Sequence, residues 1–221
     1  MTTDHERTTL APAGAGVVSR RGRRLLLHLG AAVLVVMLLR AFVIESFYVP
    51  SASMSPTIRA GDRVVVAKTA TGDLRPGDVI VFDGTGTMAP ADRSPYMSDG
   101  LLGRTLSGLA SAVGVSLGEH DYLKRVAAVG GQRLSCTPEA GLVRDGERVT
   151  EDYLAEDEQA CSSPFDVVVP QGRIFVLGDH RSDSLDSRSR LGAPGGGMIP
   201  VDDVVGEVVL RYWPLPRAGV L

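Results

Sequence analysis

The sequence predicts a mainly antiparallel β domain behind one N-terminal transmembrane helix, on the evidence of three features. A single long apolar segment lies near the N-terminus, and after residue 57 short runs rich in Val and Ile alternate with turn signals. The dipeptide Asp145-Gly146, between two short apolar runs, is typical of a two-residue β-hairpin turn. The predicted strands are 63–67, 79–82, 122–129, 167–169, 173–177 and 204–213.

The apolar segment extends from Leu25 to Ile44 and contains 20 residues. As an α-helix it spans about 30 Å, which is enough to cross the core of a bilayer. Four arginines lie just before it, between positions 20 and 24, whereas only Arg40 and Glu45 carry charge near its far end. The positive-inside rule then predicts a single-pass protein of the cell membrane with a cytoplasmic N-terminus. Its expected parts are a basic cytoplasmic tail at 1–24, a transmembrane anchor at 25–44 and an extracytoplasmic domain at 45–221.

Two other interpretations of this segment remain open at the level of sequence: a cleaved signal peptide and a buried helix of a soluble protein. Arginines followed by an apolar run also describe a signal peptide. However, no Ala-x-Ala site follows the run closely, and Phe42, Phe47 and Tyr48 are poor neighbours for a cleavage site. An uncleaved anchor is therefore the expected form.

Residues 84–120 interrupt the β pattern. They begin polar and rich in turn formers, and further on Leu102, Leu106 and Leu109 fall on one face of a helix. We expect a surface insertion that contains one short amphipathic helix. The polar face of this helix has no basic cluster, so the sequence gives little support for its contact with a membrane surface.

Composition excludes some functions and leaves one question open. The net charge of −3, with no basic stripe in the body of the chain, gives no reason to expect nucleic-acid binding. The sequence has no His-Glu-x-x-His motif and no Cys/His pair at ligand spacing, so we expect no metal. Cys136 and Cys161 are expected to be reduced in a cytosolic protein and paired in an exported one, and the sequence alone leaves this open.

Three serines, Ser51, Ser53 and Ser55, lie between two prolines shortly after the apolar segment. Taken alone, such a cluster is typical of a linker, because Ser and Pro commonly mark turns. A catalytic serine needs a base, and His180 is the histidine whose acidic neighbours suit a Ser-His-Asp arrangement. No Gly-x-Ser-x-Gly elbow is present to bring a serine to that histidine.

Lysine is the other possible base, provided that burial lowers its pKa far below about 10.4. Arginine cannot replace it, because arginine does not lose its proton. Only two of the 23 Lys and Arg residues are lysine. Lys124 lies in predicted strand 122–129, where alternation places it on one face with Tyr122 and Val126. Lys68 ends a predicted strand, which is a common place for a solvated charge, so Lys124 is the better candidate base.

Four segments, in this order behind the apolar segment, resemble the motifs of bacterial type I signal peptidases, which are membrane-bound serine endopeptidases with a Ser-Lys dyad. They are PSASMSPT at 50–57, RPGDVIVF at 75–82, DYLKRV at 121–126 and GDHRSDSLDSR at 178–188. The resemblance runs from about residue 25 to Pro214. Two departures are His180, where the family often has Asn, and Ala128–Gln132, where it usually has a Gly-x-Pro-Gly-Asp turn.

The resemblance assigns roles to particular residues. It implies that Ser53 is the nucleophile and Lys124 its general base, and that Ser51 joins the Ser53 amide in the oxyanion hole. The other implied site residues are Ser184, which orients the lysine, and Asp186 and Arg188, which shape the surroundings of the dyad.

The resemblance also implies an activity: removal of N-terminal signal peptides from exported pre-proteins, with cleavage after small residues of the Ala-x-Ala type. Signal peptides and membrane lipids are the expected partners, a monomer is the expected functional form, and no cofactor is required. One alternative is a partner-binding β domain without catalysis, against which the presence of both Ser53 and Lys124 argues. Another is a self-cleaving Ser-Lys regulator of the repressor type, which would need a DNA-binding module where the apolar segment lies.

Overall fold

The computed structural model describes residues 20–68, 72–89, 115–116, 120–161 and 163–221. The chain forms two compact units, with the boundary in sequence between Leu39 and Arg40. Helix α1 extends from Arg20 to Phe42. The described residues after it form β-strands joined by turns and short 3-10 helices.

Helix α1 coincides with most of the predicted anchor at 25–44. Its large apolar side chains between Leu25 and Val36 are exposed, and Leu25 is the most exposed of them at 71%. Ile44, predicted as the end of the anchor, instead begins the first β-strand, where it pairs with Ala67. Among the residues that the structure describes, no helix combines the length and the apolarity needed to cross a membrane. Residues 1–19 of the predicted tail lie outside the described residues.

The described strands are β1 Ile44–Tyr48, β2 Arg63–Ala67, β3 Val79–Asp83, β4 Val115–Ser116, β5 Asp121–Val129, β6 Arg133–Thr137, β7 Gly141–Arg144, β8 Glu147–Arg148, β9 Phe165–Val168, β10 Arg173–Leu177, β11 Ile199–Pro200, β12 Val204–Trp213 and β13 Gly219–Val220. The 3-10 helices are Ser187–Arg190, Val201–Asp203 and Leu215–Arg217.

Within the described residues, these strands form two sheets. The nine-stranded sheet has the order β11-β10-β5-β3-β12-β2-β1-β4, and β13 also pairs with β12. The four-stranded sheet has the order β8-β7-β6-β9. Apart from the short parallel pair of β1 and β4, the strand pairs are antiparallel. The prediction of a mainly antiparallel β domain is therefore confirmed.

The β7–β8 hairpin turns at the dipeptide that the sequence singled out. Asp145 and Gly146 both have positive φ angles, 52° and 87°. This is the backbone conformation of a type I′ turn, which matches the twist of the two strands that it joins. The Asp145 carboxylate also accepts a hydrogen bond from the Arg133 amide at 2.8 Å, so the turn is tied to the start of β6.

Little of the predicted insertion at 84–120 is described. Residues 84–89 form a tight turn, in which Met88 N and Ala89 N both donate to Gly84 O at 2.8 and 2.9 Å. The short strand β4 lies beside β1. The predicted amphipathic helix around Leu102, Leu106 and Leu109 lies outside the described residues.

Cys136 and Cys161 form a disulfide, with their Cα atoms 5.7 Å apart. Both belong to a hydrophobic cluster with residues of the two sheets, among them Leu134, Leu142 and Phe175. The bond joins residues 25 apart in sequence. A loop of this length stabilises a fold by about 3 kcal/mol in the chain-entropy description. The two cysteines are therefore paired in this structure, which is the alternative that the sequence predicted for an exported protein.

Candidate active site

Ser53 and Lys124 lie 71 residues apart in sequence, and the fold brings their side chains into contact. Lys124 Nζ is 2.6 Å from Ser53 Oγ, a short hydrogen bond. The same Nζ atom donates to the carbonyl oxygen of Leu123 at 3.0 Å. Lys124 is only 4% exposed. The two residues that the sequence singled out therefore form a pair in which the lysine is buried and the serine is half-buried.

The position of Lys124 in the sheet explains its burial. Strand β5 lies between β3 and β10, with Ile80 opposite Lys124 and Phe82 opposite Tyr122. Directly opposed residues of antiparallel strands share a face, and Tyr122 and Val126 pack in one cluster with Ile80 and Phe82. This arrangement agrees with the alternation that the sequence predicted for Tyr122, Lys124 and Val126.

Burial lowers the pKa of Lys124 from 10.5 to about 8, because the charged ammonium loses its hydration. The carboxylates of Asp186 and Asp179 act in the opposite direction and offset part of the effect. A lysine with a pKa near 8 is neutral in a useful fraction of molecules around neutral pH. A neutral amine is the form that can accept a proton from a hydroxyl group.

The turn that carries Ser53 is fixed on both sides. Its neighbours Met54 and Ile58 are buried, at 1% and 0% exposure, and the Ile58 amide donates to Met54 O at 2.9 Å. On the other side, the His180 amide donates to the carbonyl oxygen of Ser53 at 3.1 Å. Ser51 Oγ lies 3.4 Å from Ser53 Oγ. The fold therefore brings the Ser51 hydroxyl beside the Ser53–Lys124 pair.

A second contact network holds the end of this turn. Asp62 is 1% exposed and accepts hydrogen bonds from Arg59 N at 2.8 Å and Arg217 Nη1 at 3.0 Å. Arg211 Nη1 donates to the carbonyl oxygen of Thr57. The C-terminal segment of the chain thus supports the turn that presents Ser53.

The segment 178–188 contributes a buried carboxylate. Asp186 is 0% exposed, pairs with Arg188 through two contacts of 2.9 and 2.7 Å, and accepts a hydrogen bond from Gly178 N at 3.1 Å. Ser184 Oγ is also buried, and it has no hydrogen-bond partner among the described residues. The hydrogen bond from Ser184 to the lysine that the resemblance implied is therefore not present in this structure, and that role stays a prediction.

The structure adds a pair that sequence reasoning missed. Arg125 donates to both carboxylate oxygens of Asp179, at 2.8 and 2.6 Å, and to the carbonyl oxygen of Gly77 at 2.7 Å. Its guanidinium lies 4.0 Å from the ring centre of Tyr153. Arg125 directly follows Lys124, and Asp179 is the second residue of the last motif, so both residues were visible in the sequence. Nothing in one sequence indicates that the two segments meet.

A serine hydroxyl in contact with a buried lysine of lowered pKa, on an antiparallel β scaffold, is the arrangement expected of hydrolases that activate serine with lysine. The carboxylates that surround the pair are engaged by arginines and backbone amides. Among the described residues, no group of three or more His, Cys, Asp or Glu side chains is placed to hold a metal ion.

Comparison with known proteins agrees with this class. The family model described as signal peptidase, peptidase S26, matches residues 22–213. The probable signal peptidase I of Mycobacterium leprae is 35% identical over 207 residues, which cover 80% of this chain and 71% of that protein. The signal peptidase I of Mycobacterium tuberculosis strain H37Rv is 35% identical over 212 residues, which cover 86% and 72%. The chain therefore belongs to the signal peptidase family, peptidase S26, and is a serine endopeptidase.

Two further matches have lower sequence identity. Signal peptidase I T of Bacillus subtilis is 28% identical over 193 residues, which cover 83% of this chain and 81% of that protein. A crystal structure of a signal peptidase I from Enterococcus faecalis superposes with a TM-score of 0.38 at 20% identity, and covers 61% of this chain and 96% of that one.

Proposed function

We propose that this protein is a membrane-bound signal peptidase that removes N-terminal signal peptides from exported pre-proteins, with Ser53 as nucleophile and Lys124 as general base. The observation that carries the mechanism is the 2.6 Å contact between Ser53 Oγ and Nζ of the buried Lys124. Membership of the signal peptidase family supports the substrate class.

The first half of the reaction is acylation. Neutral Lys124 accepts the proton of Ser53 while Ser53 Oγ attacks the carbonyl carbon of the scissile peptide bond. The negative charge that develops on the carbonyl oxygen is stabilised by the Ser53 amide and the Ser51 hydroxyl. The lysinium then gives its proton to the leaving amine, and the signal peptide remains bound to Ser53 as an ester.

The second half of the reaction is hydrolysis of that ester. Lys124, neutral again, accepts a proton from a water molecule as the water attacks the acyl carbon. The proton then passes to Ser53 Oγ, which leaves as the free hydroxyl. This chemistry requires no cofactor, since one amine serves as base and acid in both halves.

The substrate chain is proposed to lie in extended form along an exposed strand edge, where main-chain hydrogen bonds bind it and pockets at alternate positions select its side chains. Shallow pockets at two alternate positions give the Ala-x-Ala preference that the resemblance implies. The protein is proposed to act as a monomer, because the dyad is built from one chain.

The proposed location is the cell membrane, with the apolar part of α1, residues 25–42, as anchor and a cytoplasmic N-terminus. The exposed apolar side chains of α1 support contact with lipid, because a contiguous apolar surface is unfavourable in water. The arginines before the segment support the orientation. Extraction of isolated membranes at alkaline pH tests the anchor: the protein is expected to stay in the pellet, and release into the supernatant would contradict it.

A precursor assay tests the proposed function. The purified chain in detergent is expected to cut a secretory precursor once, and mass spectrometry should place the new N-terminus directly after a small residue. The matched control is the same precursor with tryptophan at the residue before the cut, which should stay intact because a shallow pocket excludes it. Absence of cleavage would favour the partner-binding alternative, and cleavage of the protein itself alone would favour the self-cleaving one.

A further inference from the structure

A loop far from Ser53 in sequence makes an unusual set of contacts with the segment 178–188. This closed loop comprises residues 137–160, between the two cysteines of the disulfide. From it, the carboxylate of Glu151 pairs with the guanidinium of Arg181, and the Ala160 carbonyl accepts from Arg181 Nη1 at 2.8 Å. Glu158 accepts from Ser182 N at 3.0 Å and from Ser182 Oγ at 2.5 Å. Glu151, Glu158 and Ala160 of the closed loop therefore hold two consecutive residues of the segment, Arg181 and Ser182.

Arg181 also contacts the backbone of the segment itself. Its Nε donates to Gly178 O at 2.9 Å, and its own carbonyl accepts from Arg188 Nη2 at 2.9 Å. Between these contacts, the His180 amide donates to Ser53 O. The path from the closed loop to the candidate nucleophile is thus short: Glu151 to Arg181, Arg181 to the Gly178–Arg181 turn, and that turn to Ser53.

Burial shows that this is not a surface charge pair. The side chains of Arg181 and Glu151 are 1% and 6% exposed. Arg181 is buried although it lies in a segment rich in polar and charged residues, because the closed loop covers it. A buried ion pair is often no more stabilising than well-packed apolar side chains in its place. What the planar guanidinium supplies here is a fixed geometry between Glu151, Ala160 and Gly178.

We propose that the closed loop is a positioning element of the active site, and that Arg181 and Glu151 are the positioning residues through which it acts. They hold the Gly178–Arg181 turn, and the His180 amide of that turn holds the Ser53 carbonyl. The inference rests on the proposed function, since it takes Ser53 as the nucleophile. A displaced serine backbone lowers the rate of attack, and a misplacement of about 1 Å can cost about 10²-fold in rate.

The test replaces both members of the pair, in the full-length chain with detergent. Arg181→Met/Glu151→Met removes two opposite charges together and leaves neither one buried alone. We expect kcat for precursor cleavage to fall about 10- to 100-fold. KM should change less than about twofold, because the substrate contacts remain. Hydrogen exchange at the His180 amide should become at least about tenfold faster, because its hydrogen bond to Ser53 is loosened.

The matched control is Arg133→Met/Asp166→Met. This ion pair joins β6 to β9 and has side chains that are 65% and 49% exposed. This double variant should leave kcat and hydrogen exchange at the His180 amide unchanged. If Arg181→Met/Glu151→Met does not fold, Cys136→Ser/Cys161→Ser opens the same loop and is expected to change both quantities in the same direction.

Two readouts separate the two proposals. Wild-type kcat together with wild-type exchange at His180 in a folded variant would overturn the positioning role. If the wild-type chain cleaves no precursor, the proposed function fails, and exchange at His180 still decides whether the closed loop positions the turn.

Discussion

Replacement of Lys124 by methionine is expected to lower kcat/KM for precursor cleavage by at least about 10³-fold, because the serine loses its base. Methionine keeps the length and apolar character of the lysine stem, so it suits a site that is only 4% exposed. The thermal unfolding midpoint should therefore stay at or above that of the wild type. The measurement is the initial rate of cleavage of a labelled precursor, with circular dichroism to follow unfolding.

Companion variants show whether the two residues act as one unit. Ser53→Ala should lose about as much activity as Lys124→Met, and the double variant should lose little more, since the two groups serve one step. Ser55→Ala and Lys68→Met are the matched controls and should keep near-normal rates. Lys68 pairs with Glu45 at 2.8 Å, in a partly exposed position. Near-normal cleavage by Lys124→Met would show that another group is the base.

Gly178→Ala is expected to reduce kcat by about 10²-fold or more, although it adds a single methyl group. A Cβ atom at this position would lie 2.1 Å from Ser184 Oγ and 2.6 Å from the carbonyl oxygen of Ser53. Rotation about χ1 can move Ser184 Oγ, but Ser184 Cβ would lie only 2.5 Å from the added methyl group and is fixed by the backbone, as is the Ser53 carbonyl. The backbone of one or both segments must therefore move. The same overlap should lower the free energy of unfolding by about 1–3 kcal/mol.

Gly192→Ala is the matched control for this substitution. Gly192 follows the same segment, its φ angle is not positive, and a Cβ atom added there has no heavy atom within 4 Å. It should leave the cleavage rate and the unfolding midpoint unchanged. A Gly178→Ala protein with wild-type kcat would contradict the close packing of the 178–188 segment against Ser53.

Local sequence predicted much of the domain. The strands 63–67, 173–177 and 204–213 appear with the predicted bounds, because each alternates or concentrates Val, Ile and other strand formers between turn residues. The hairpin at Asp145-Gly146 was visible because that dipeptide tolerates positive φ. Lys124 was noticeable because the chain uses so few lysines.

Other elements were not predictable from local pattern. Strand β6, RLSCT, mixes polar and apolar residues, and its pairing with β7 and β9 is decided by tertiary contacts. Ile44 fits the end of an apolar helix as well as the start of β1, and its partner Ala67 lies 23 positions further on. The burial of Arg181 depends on Glu151, which lies 30 residues away in an irregular loop. Contacts of this kind follow from the fold, and composition and periodicity give no sign of them.

The central claim, that Lys124 is a base of lowered pKa beside Ser53, is tested most directly by titrating the lysine itself. Because the chain has two lysines, Lys68→Arg leaves Lys124 as the only one, and the arginine keeps a positive charge beside Glu45. Labelling with ¹³C at the lysine ε carbon then gives one side-chain signal to follow by NMR. We expect it to titrate with a pKa of about 8, since burial lowers it, and the cleavage rate to rise with pH over the same range. A signal that stays protonated up to the ordinary lysine pKa of about 10.4 would contradict the assignment of Lys124 as base.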